Sequence, residues 1–290
     1  MPVLLLEESE PTQPQLSPPL KWAGGKRWLV PQLARWWRSH RRTRLVEPLC
    51  GGLAVTLGLR PKHALCNDVN VHAISFYRWL QRGFVIEMPM ENEKSFYYTA
   101  RARFNDLVVS GGCESHEAAS LFYYLNRTGY NGLCRFNRSG LFNVPFGSYG
   151  KIRYTRDFRP YVAAFRGWRF GSGDFAGIKL KPDDFVYADP PYDVEFTQYS
   201  KETFGWSDQE RLVEWLARHP GPVVLSNQAT DRVVELYRRH GFHTEIVVAP
   251  RMISCNGDRT PAREVLATRN LGTAFIADAA PAASGVVRAH

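Results

Sequence analysis

The most informative stretch of this chain runs Phe185-Val186-Tyr187-Ala188-Asp189-Pro190-Pro191-Tyr192. Its first four residues are apolar and typical of a buried strand. The two prolines cannot donate hydrogen bonds to a sheet, so the strand must end at Asp189. In an open α/β sheet, the ligand crevice lies beyond the carboxyl ends of the parallel strands. We therefore expect Asp189 and the residues after it to line a binding site.

Three groups of this motif suit an exocyclic amino group on a planar ring. Asp189 offers a carboxylate, Pro190 a carbonyl oxygen, and Tyr192 an aromatic face for stacking. Two acceptors match the two hydrogens of an amino group. A base inside a duplex cannot reach such a crevice, so the motif implies a base flipped out of the helix. Taken alone, Asp189-Pro190-Pro191-Tyr192 would more often form an ordinary turn. The rest of the chain has to distinguish such a turn from a base-binding motif.

The composition is that of a globular chain with excess basic charge. Among 290 residues, 44% are hydrophobic and the net charge is +9. Residues 94–175 hold 12 Lys and Arg against 5 Asp and Glu, which is most of that charge and indicates a phosphate-binding surface. The five cysteines match neither a zinc site nor a disulfide framework, and no apolar run is long enough to span a membrane. We therefore expect a reducing, cytoplasmic compartment.

A nucleotide-binding pattern lies near the start of the chain. Leu45-Val46-Glu47-Pro48 is predicted to end a strand, Cys50-Gly51-Gly52 to form a turn, and residues 54–59 to open a helix. Asp68 ends a second predicted strand 21 residues after Glu47, the spacing of an acid that binds ribose hydroxyls. This pattern predicts an α/β fold with a doubly wound, Rossmann-like sheet.

The remaining elements continue this alternation except within residues 84–179. Helices are predicted over 71–81, from a capping box at Ser207, and over 231–240. Strands are predicted over 223–227, 244–248 and 264–268, with the last two pairing as a hairpin at the sheet edge. The predicted organisation is a catalytic domain of 18–83 and 180–271, an inserted, mostly helical domain of 84–179, and flexible tails at 1–17 and 272–290.

The inserted segment contains a block of turn-forming and hydrogen-bonding residues. It reads Asn126-Arg127-Thr128-Gly129-Tyr130-Asn131-Gly132-Leu133-Cys134-Arg135-Phe136-Asn137. Turn residues at 130–132 and 138–140 predict a β-hairpin. Asn and Arg suit base edges, Lys and Arg suit phosphates, and Tyr130 and Leu133 are of the kind that wedge between bases. The alternative is a surface hairpin that binds nothing.

With these motifs in order, the sequence resembles the Dam-type DNA adenine-N6 methyltransferases over residues 20–257. The matching segments are Lys21-Trp22-Ala23-Gly24-Gly25-Lys26, Val46-Glu47-Pro48 with its glycine turn, Asn67-Asp68, the 126–137 block, and Asp189-Pro190-Pro191-Tyr192. The resemblance implies S-adenosylmethionine as methyl donor and a flipped adenine of double-stranded DNA as acceptor. The sulfonium leaves as a neutral thioether, so we expect no metal; we also expect no membrane and no obligate protein partner.

The resemblance also implies roles for individual residues. Those expected to contact the donor or its pocket are Trp22, Lys26, Glu47, Gly51, Asp68 and Asp189. Those expected to hold the adenine are Asp189, Pro190 and Tyr192, with Phe204 closing over the base. Those expected to bind DNA are Arg127, Tyr130, Asn131, Leu133, Arg135, Asn137, Arg138, Pro145, Tyr149 and Lys151.

Two departures from the family pattern bear on donor affinity and on specificity. Leu53 stands where the family usually has glycine, and a side chain there is expected to narrow the donor pocket. Ser148 stands where close relatives have an arginine, the common bidentate reader of guanine, so the outer part of a GATC-like site is left open. N4-cytosine methylation, or DNA binding without catalysis, are the alternative functions. The sequence does not distinguish a restriction, phage or housekeeping role.

Overall fold

In the computed structural model, residues 16–193, 204–249 and 262–272 are described. Within these ranges seven strands form one sheet. They are β1 (Leu45–Glu47), β2 (Ala64–Asp68), β3 (Trp168–Ser172), β4 (Phe185–Ala188), β5 (Val223–Gln228), β6 (His243–Ala249) and β7 (Ala262–Arg269). Their order is β3-β2-β1-β4-β5-β7-β6, and β7 alone runs antiparallel to its neighbours. The predicted doubly wound, Rossmann-like sheet is confirmed.

The strand order reverses between β1 and β4, which lie side by side at the centre of the sheet. At such a switch point the connections leave toward opposite faces and a crevice opens at the carboxyl ends. The last two strands pair as a hairpin at the sheet edge, as predicted, with β7 on the inner side between β5 and β6. The first residues of β7 therefore reach the carboxyl edge of β5.

The helices cover both faces of the sheet. They are α1 (Val30–Trp37), α2 (Ala54–Leu59), α3 (Val71–Gln81), α4 (Lys94–Val109), α5 (His116–Thr128), α6 (Pro160–Phe165), α7 (Trp206–Ala217) and α8 (Asp231–Arg239). The bounds of α3 match the prediction, and those of α8 differ by one residue. No helix of the described ranges combines the length and apolarity needed to cross a bilayer.

The two sides of the sheet have separate hydrophobic cores because strand side chains alternate in direction. On β4, Phe185 and Tyr187 join the core that contains α1 to α6. Val186 and Ala188 join the core that contains α7 and α8. A strand buried on both faces reads as a continuous apolar run, which is why β4 could be identified from sequence.

The start of α7 differs from the prediction. The capping box was placed at Ser207, but the residue that caps the helix is Gly205, whose N–H donates to the Asp208 carboxylate at 2.9 Å. Asp208 is the third helical residue, the position from which a side chain can reach back to the cap. The helix therefore begins earlier than the Ser-x-x-Glu pattern indicated.

The segment predicted as an insertion contributes one strand to the sheet. Strand β3 lies inside the range 84–179 but pairs in parallel with β2, so it belongs to the sheet. Its sequence, Trp-Arg-Phe-Gly-Ser, alternates buried and exposed residues as an edge strand does, and it was too polar to be identified. Helices α4 and α5 contribute to the same core as α3, where the ring of Phe76 stacks on Tyr123 at 5.6 Å. The division into two domains stays a prediction.

The predicted hairpin is present in a short form. The backbone N–H of Asn143 donates to Arg135 at 3.2 Å, and that of Asn137 donates to Leu141 at 2.9 Å. These hydrogen bonds flank a single antiparallel bridge between Phe136 and Phe142, and the paired segments are too short to form regular strands.

The predicted tails lie mostly outside the described residues. Two residues at the end of the predicted first tail contact the folded chain. Leu16 packs against the core, and the carbonyl of Ser17 accepts a hydrogen bond from the Tyr161 hydroxyl at 2.6 Å.

Leu53 adopts a left-handed backbone with φ of +63° at the start of α2. This conformation costs a residue with a side chain about 1–2 kcal/mol, a cost that glycine would not have. The Leu53 side chain is fully buried in the core. The expectation that it narrows a donor pocket is therefore wrong, because a side chain with no accessible surface lines no open space.

Glu47 ends β1 with its side chain buried. The Thr56 hydroxyl of α2 donates to Glu47 Oε1 at 2.6 Å, and only 3% of the residue is exposed. Burial raises the pKa of Glu47 from 4.5 to about 8; the Thr56 hydrogen bond lowers it, while the charges of Asp189 and Asp68 raise it further. The folded protein therefore favours the neutral acid at this position.

We predict that Glu47→Gln removes a pH dependence from folding. Because the pKa is raised in the folded state, the stabilisation is complete below pH 4.5 and is lost as the pH rises through about 8. Glutamine stays neutral, so the variant should be more stable than wild type near pH 8, by on the order of 1–4 kcal/mol. Near pH 4.5 the two should have similar stability. Urea unfolding across this pH range measures the difference.

The control is Glu245→Gln, which changes an exposed acid on β6 and should keep the wild-type pH dependence. If Glu47→Gln also kept it, Glu47 would be ionised in the folded protein.

Candidate active site

Three polar side chains meet where β4 and β5 end and β7 begins. Asp189 follows β4, Ser226 lies near the end of β5, and Glu264 lies near the start of β7, opposite Gln228. Because β7 is antiparallel, its first residues reach the edge at which the parallel strands finish. The topology thus assembles a polar cluster from segments far apart in sequence.

Lys26 lies at the centre of this cluster. Its Nζ atom is 3.0 Å from Asp189 Oδ1, 3.7 Å from Glu264 Oε2, and 3.2 Å from the Tyr192 hydroxyl, to which it donates. Lys26 and Glu264 are 3% exposed, whereas the Asp189 side chain is 21% exposed. Of the three charged groups, Asp189 is the one that a bound molecule can reach.

One oxygen of Asp189 is fully occupied and the other is not. Oδ1 forms an ion pair with Lys26 and accepts a hydrogen bond from Ser226 Oγ at 2.8 Å. The Ser226 hydroxyl is in turn hydrogen-bonded to the Tyr187 hydroxyl at 2.7 Å. No donor among the described residues is hydrogen-bonded to Oδ2. The carboxylate is therefore fixed by one oxygen and available through the other.

Tyr192 is held by both charged partners. Its hydroxyl donates to Glu264 Oε1 at 2.5 Å, and its ring lies 4.8 Å from the Lys26 ammonium. The loop before it is also held, since Gln209 donates to the Pro191 carbonyl at 2.8 Å. Arg232 forms an ion pair with Asp193 just after it.

The charges of the cluster shift its pKa values. Burial alone would lower the pKa of Lys26, but the charges of Asp189, Tyr192 and Glu264 outweigh burial and raise it. Burial raises the pKa of Asp189 and of Glu264, against the pull of Lys26. Burial also raises the pKa of Tyr192 to about 12. Lys26 is thus a cation at neutral pH, and it offsets part of the cost of two buried carboxylates.

The remaining predicted adenine-pocket residues are placed differently. Pro190 is buried directly after Asp189. Phe204 is half-buried, and its ring packs on Phe175 with 6.3 Å between centroids. The hydrogen-bonded cluster does not include Phe204, so its role over the base stays a prediction.

The predicted donor residues gather around the glycine turn after β1. A Cβ atom on Gly51 would lie 2.5 Å from Trp22 Nε1, so only glycine permits the indole to pack against this turn. Asp68 accepts hydrogen bonds from the N–H groups of Gly51 and Asn70, both at 2.9 Å. Burial raises the pKa of Asp68, and these hydrogen bonds oppose the shift.

Asn126 connects the segment of residues 21–26 to the block at 126–137. Its side-chain amide donates to the Lys21 carbonyl and accepts from the Lys21 N–H, both at 2.8 Å, as a neighbouring strand would. Lys21 Nζ donates to the Arg127 carbonyl at 2.9 Å and lies 4.0 Å from the centre of the Tyr149 ring. Asn126 is fully buried, so this connection is part of the core.

The residues predicted to bind DNA divide by exposure. The exposed ones are Tyr130, Arg135, Asn137, Arg138, Pro145 and Lys151, and the half-buried ones are Arg127, Asn131, Leu133 and Tyr149. Asn131 has a left-handed backbone with φ of +51°. Together they lie in the part of the chain that carries most of the net positive charge.

Several of these side chains already have internal partners. Arg135 donates through Nε to Asn143 Oδ1 at 2.8 Å. Asn137 accepts from the N–H groups of Ser139 and Leu141, and Tyr149 donates to the Gly129 carbonyl at 3.1 Å. Asn137 and Tyr149 therefore use their side-chain polar groups to hold the local backbone in place.

Sequence reasoning missed Glu264, Ser226 and Asn126. Glu264 carried one usable signal, an acid directly before the apolar run Val265-Leu266-Ala267, where a buried charge needs a partner. Ser226 had a weaker signal, since it follows a buried apolar run as Asp189 does. The role of Asn126 had none, because its partner is the backbone of Lys21.

Comparison with known proteins agrees with this geometry. The family model of the D12 class N6 adenine-specific DNA methyltransferases matches residues 22–251. A DNA N-6-adenine-methyltransferase of Escherichia phage P1 is 35% identical over 266 residues, which are 85% of this chain and 34% of that protein. The retron Ec67 DNA adenine methylase of Escherichia coli is 32% identical over 263 residues, 86% of this chain and 90% of that protein.

A DNA adenine methylase of Vibrio cholerae serotype O1 is 35% identical over 272 residues, 86% of this chain and 94% of that protein. The chain thus spans about a third of the length of the phage protein and about nine-tenths of the other two. The family match covers both the Lys26 segment and the strand that ends at Asp189. This chain belongs to the D12 class of N6 adenine-specific DNA methyltransferases.

Proposed function

We propose that this enzyme methylates the N6 amino group of an adenine flipped out of duplex DNA at a short, GATC-like site. S-adenosylmethionine is the proposed donor. The observation that supports this most is the Asp189 carboxylate, which is fixed through Oδ1 by Lys26 and Ser226 and available through Oδ2. A carboxylate placed in this way can orient an amino group that enters the crevice.

The proposed chemistry is orientation and charge stabilisation. The adenine amino nitrogen is a poor nucleophile because its lone pair is delocalised into the ring. Hydrogen bonds from its two N–H groups to Asp189 Oδ2 and to the Pro190 carbonyl favour the tetrahedral nitrogen of the transition state. The Tyr192 ring supplies the stacking surface for the base, and Phe204 is proposed to cover it.

The residues at the sheet edge fit the proposed donor. Asp68 lies at the end of β2 beside the Gly51 turn, where a ribose acceptor is needed, and Asp189 adds negative charge near a cationic sulfonium. Trp22, Lys26, Gly51, Asp68 and Asp189 are proposed to hold it, whereas Glu47 is committed to Thr56 and shapes the pocket from inside. When bound, S-adenosylmethionine supplies an electrophilic methyl group whose leaving group departs as a neutral thioether.

The GATC-like site is the part of the proposal that concerns sequence specificity. It rests on the sequence resemblance, and Ser148 stands where close relatives have an arginine. Ser148 is exposed with a left-handed backbone of φ +49°. A serine cannot make the bidentate contact to guanine that arginine makes, so another residue must read the outer base pair.

Methylation of mixed genomic DNA followed by modification-aware sequencing tests the proposal as a whole. We expect N6-methyladenine in one short sequence context. Methylation of cytosine would instead support N4-cytosine chemistry, which uses a similar pocket but which the adenine-specific family match disfavours. Calorimetric binding of S-adenosylmethionine separates an enzyme from a DNA-binding protein without catalysis. A cytoplasmic location remains a proposal.

We predict that Asp189→Ala lowers the methylation rate by about 100-fold or more, because a preorganised acceptor of the reacting group is lost. The fold and most of the DNA affinity should remain, since the predicted DNA contacts lie on the 126–151 segment. Steady-state methylation of a duplex and a separate binding titration measure the two effects. Asp183→Ala, at the opposite end of β4, is the matched control and should keep the wild-type rate. An active Asp189→Ala variant would contradict the proposed role of Asp189.

We predict that Arg135→Ala relaxes sequence discrimination at one base pair beside the target adenine, by about 1–3 kcal/mol. Arg135 donates to Asn143 through Nε at 2.8 Å and through Nη2 at 3.3 Å, which fixes its guanidinium on this exposed surface. Rates on the recognition site and on each of its single-base variants measure this discrimination. An even loss of activity on all duplexes would make Arg135 a phosphate contact.

The comparison variant is Lys151→Ala, which removes an exposed, predicted phosphate contact. It should weaken binding to all sequences alike and reduce the salt slope by about one unit. A Lys151→Ala variant with a changed sequence preference would show that Lys151 reads bases.

A further inference from the structure

The Lys26 ammonium has three hydrogens but four acceptors around it. It donates to the Gly24 carbonyl and the Tyr192 hydroxyl, both at 3.2 Å, and pairs with Asp189 Oδ1 at 3.0 Å. The fourth acceptor, Glu264 Oε2, is 3.7 Å away. That oxygen is buried and has no hydrogen-bond partner among the described residues. Because an ammonium has three N–H donors, one of the four acceptors always lacks a hydrogen bond from Lys26.

A buried carboxylate oxygen without a donor is costly. The other oxygen of Glu264 accepts from Tyr192, which holds the carboxyl group beside Lys26. A displacement of roughly 1 Å would bring Nζ and Oε2 within the distance of a charge-assisted hydrogen bond. Lys26 can therefore exchange one acid for the other by a small movement within the core.

We propose that Glu264 is a positioning residue that takes a hydrogen bond of Lys26 away from Asp189 when the adenine amino group binds. This inference rests on the proposed function, in which Asp189 accepts from that amino group. The incoming N–H gives Asp189 a new donor, so Lys26 turns to Glu264 without leaving Asp189 unpaired. Asp189 then directs more of its negative charge at the nitrogen, where positive charge develops during methyl transfer.

Glu264→Gln separates this role from a structural one. A purely structural Glu264 would only hold Tyr192 through Oε1. Glutamine keeps a carbonyl oxygen for that hydrogen bond, but it is uncharged and its amide group is a donor. Glutamine therefore cannot form the ion pair with the Lys26 ammonium.

The first experiment measures kcat, the KM for duplex DNA, and base flipping by the fluorescence of 2-aminopurine placed at the target adenine. We expect Glu264→Gln to lower kcat about tenfold with KM and flipping unchanged, since the charge acts in the transition state. In a Lys26→Met background, Glu264→Gln should lower kcat no further. An equal loss in both backgrounds would overturn the inference.

The second experiment needs no activity. Thermal unfolding of the full chain is compared for Asp189→Ala, Glu264→Gln and the double variant. Each acid can serve Lys26 when the other is absent, so the double variant should lose more in Tm than the two single losses added together. Pairing Glu264→Gln with Glu114→Gln, an exposed acid elsewhere, should give additive losses. Additive losses for Asp189 and Glu264 would contradict the exchange.

These outcomes also separate the inference from the function on which it rests. An Asp189→Ala variant that methylates at the wild-type rate would remove the proposed function itself. A wild-type-like Glu264→Gln variant beside an inactive Asp189→Ala variant would remove only the positioning role of Glu264.

Discussion

The buried ammonium of Lys26 is the constraint on which the site depends. A cation that is 3% exposed has to be paired, and its carboxylates come from the end of β4 and the start of β7. The pairing therefore holds three segments distant in sequence at one point. It also explains the antiparallel seventh strand in functional terms, because only a reversed strand between β5 and β6 brings its first residues to this edge.

The same segment is held at its other end by Asn126. Between Lys21, paired with Asn126, and Lys26, paired with Asp189, lie the indole that covers the Gly51 turn and two glycines. The segment thus contacts the glycine turn of the proposed donor site, the proposed catalytic acid Asp189 and the predicted DNA-binding block. A displacement of that block would be transmitted to Trp22 through buried hydrogen bonds, since a core this closely packed deforms little. The predicted DNA-binding block and the proposed donor site are thus joined through the paired Lys21 and Asn126.

The sequence predicted features that depend on neighbouring residues and missed those that depend on residues far apart in the chain. The end of β4 was predictable because an apolar run followed by two prolines is a local signal, and α3 was predictable because Gly83 with φ of +85° ends it. The glycine turn and Asp68 were likewise found from local spacing. Strand β3 was missed because its identity comes from pairing with β2, and Glu264 because its partners are 72 and 238 residues away. Long-range pairing has no signature in the neighbouring residues, so the polar cluster appears only in the folded chain.

Several unfavourable features collect at this one edge of the sheet. Leu53 has a left-handed backbone, Glu47 is a buried acid with a raised pKa, and two carboxylates share Lys26. Such features persist only where surrounding structure over-determines them, here the cores on both faces of the central strands. Their unfavourable free energy is offset during folding and does not add to the barrier of the reaction. Charges fixed in advance in a largely buried site need little reorganisation as the amino nitrogen becomes positive in the proposed reaction, and that is the condition under which electrostatic stabilisation accelerates a reaction most.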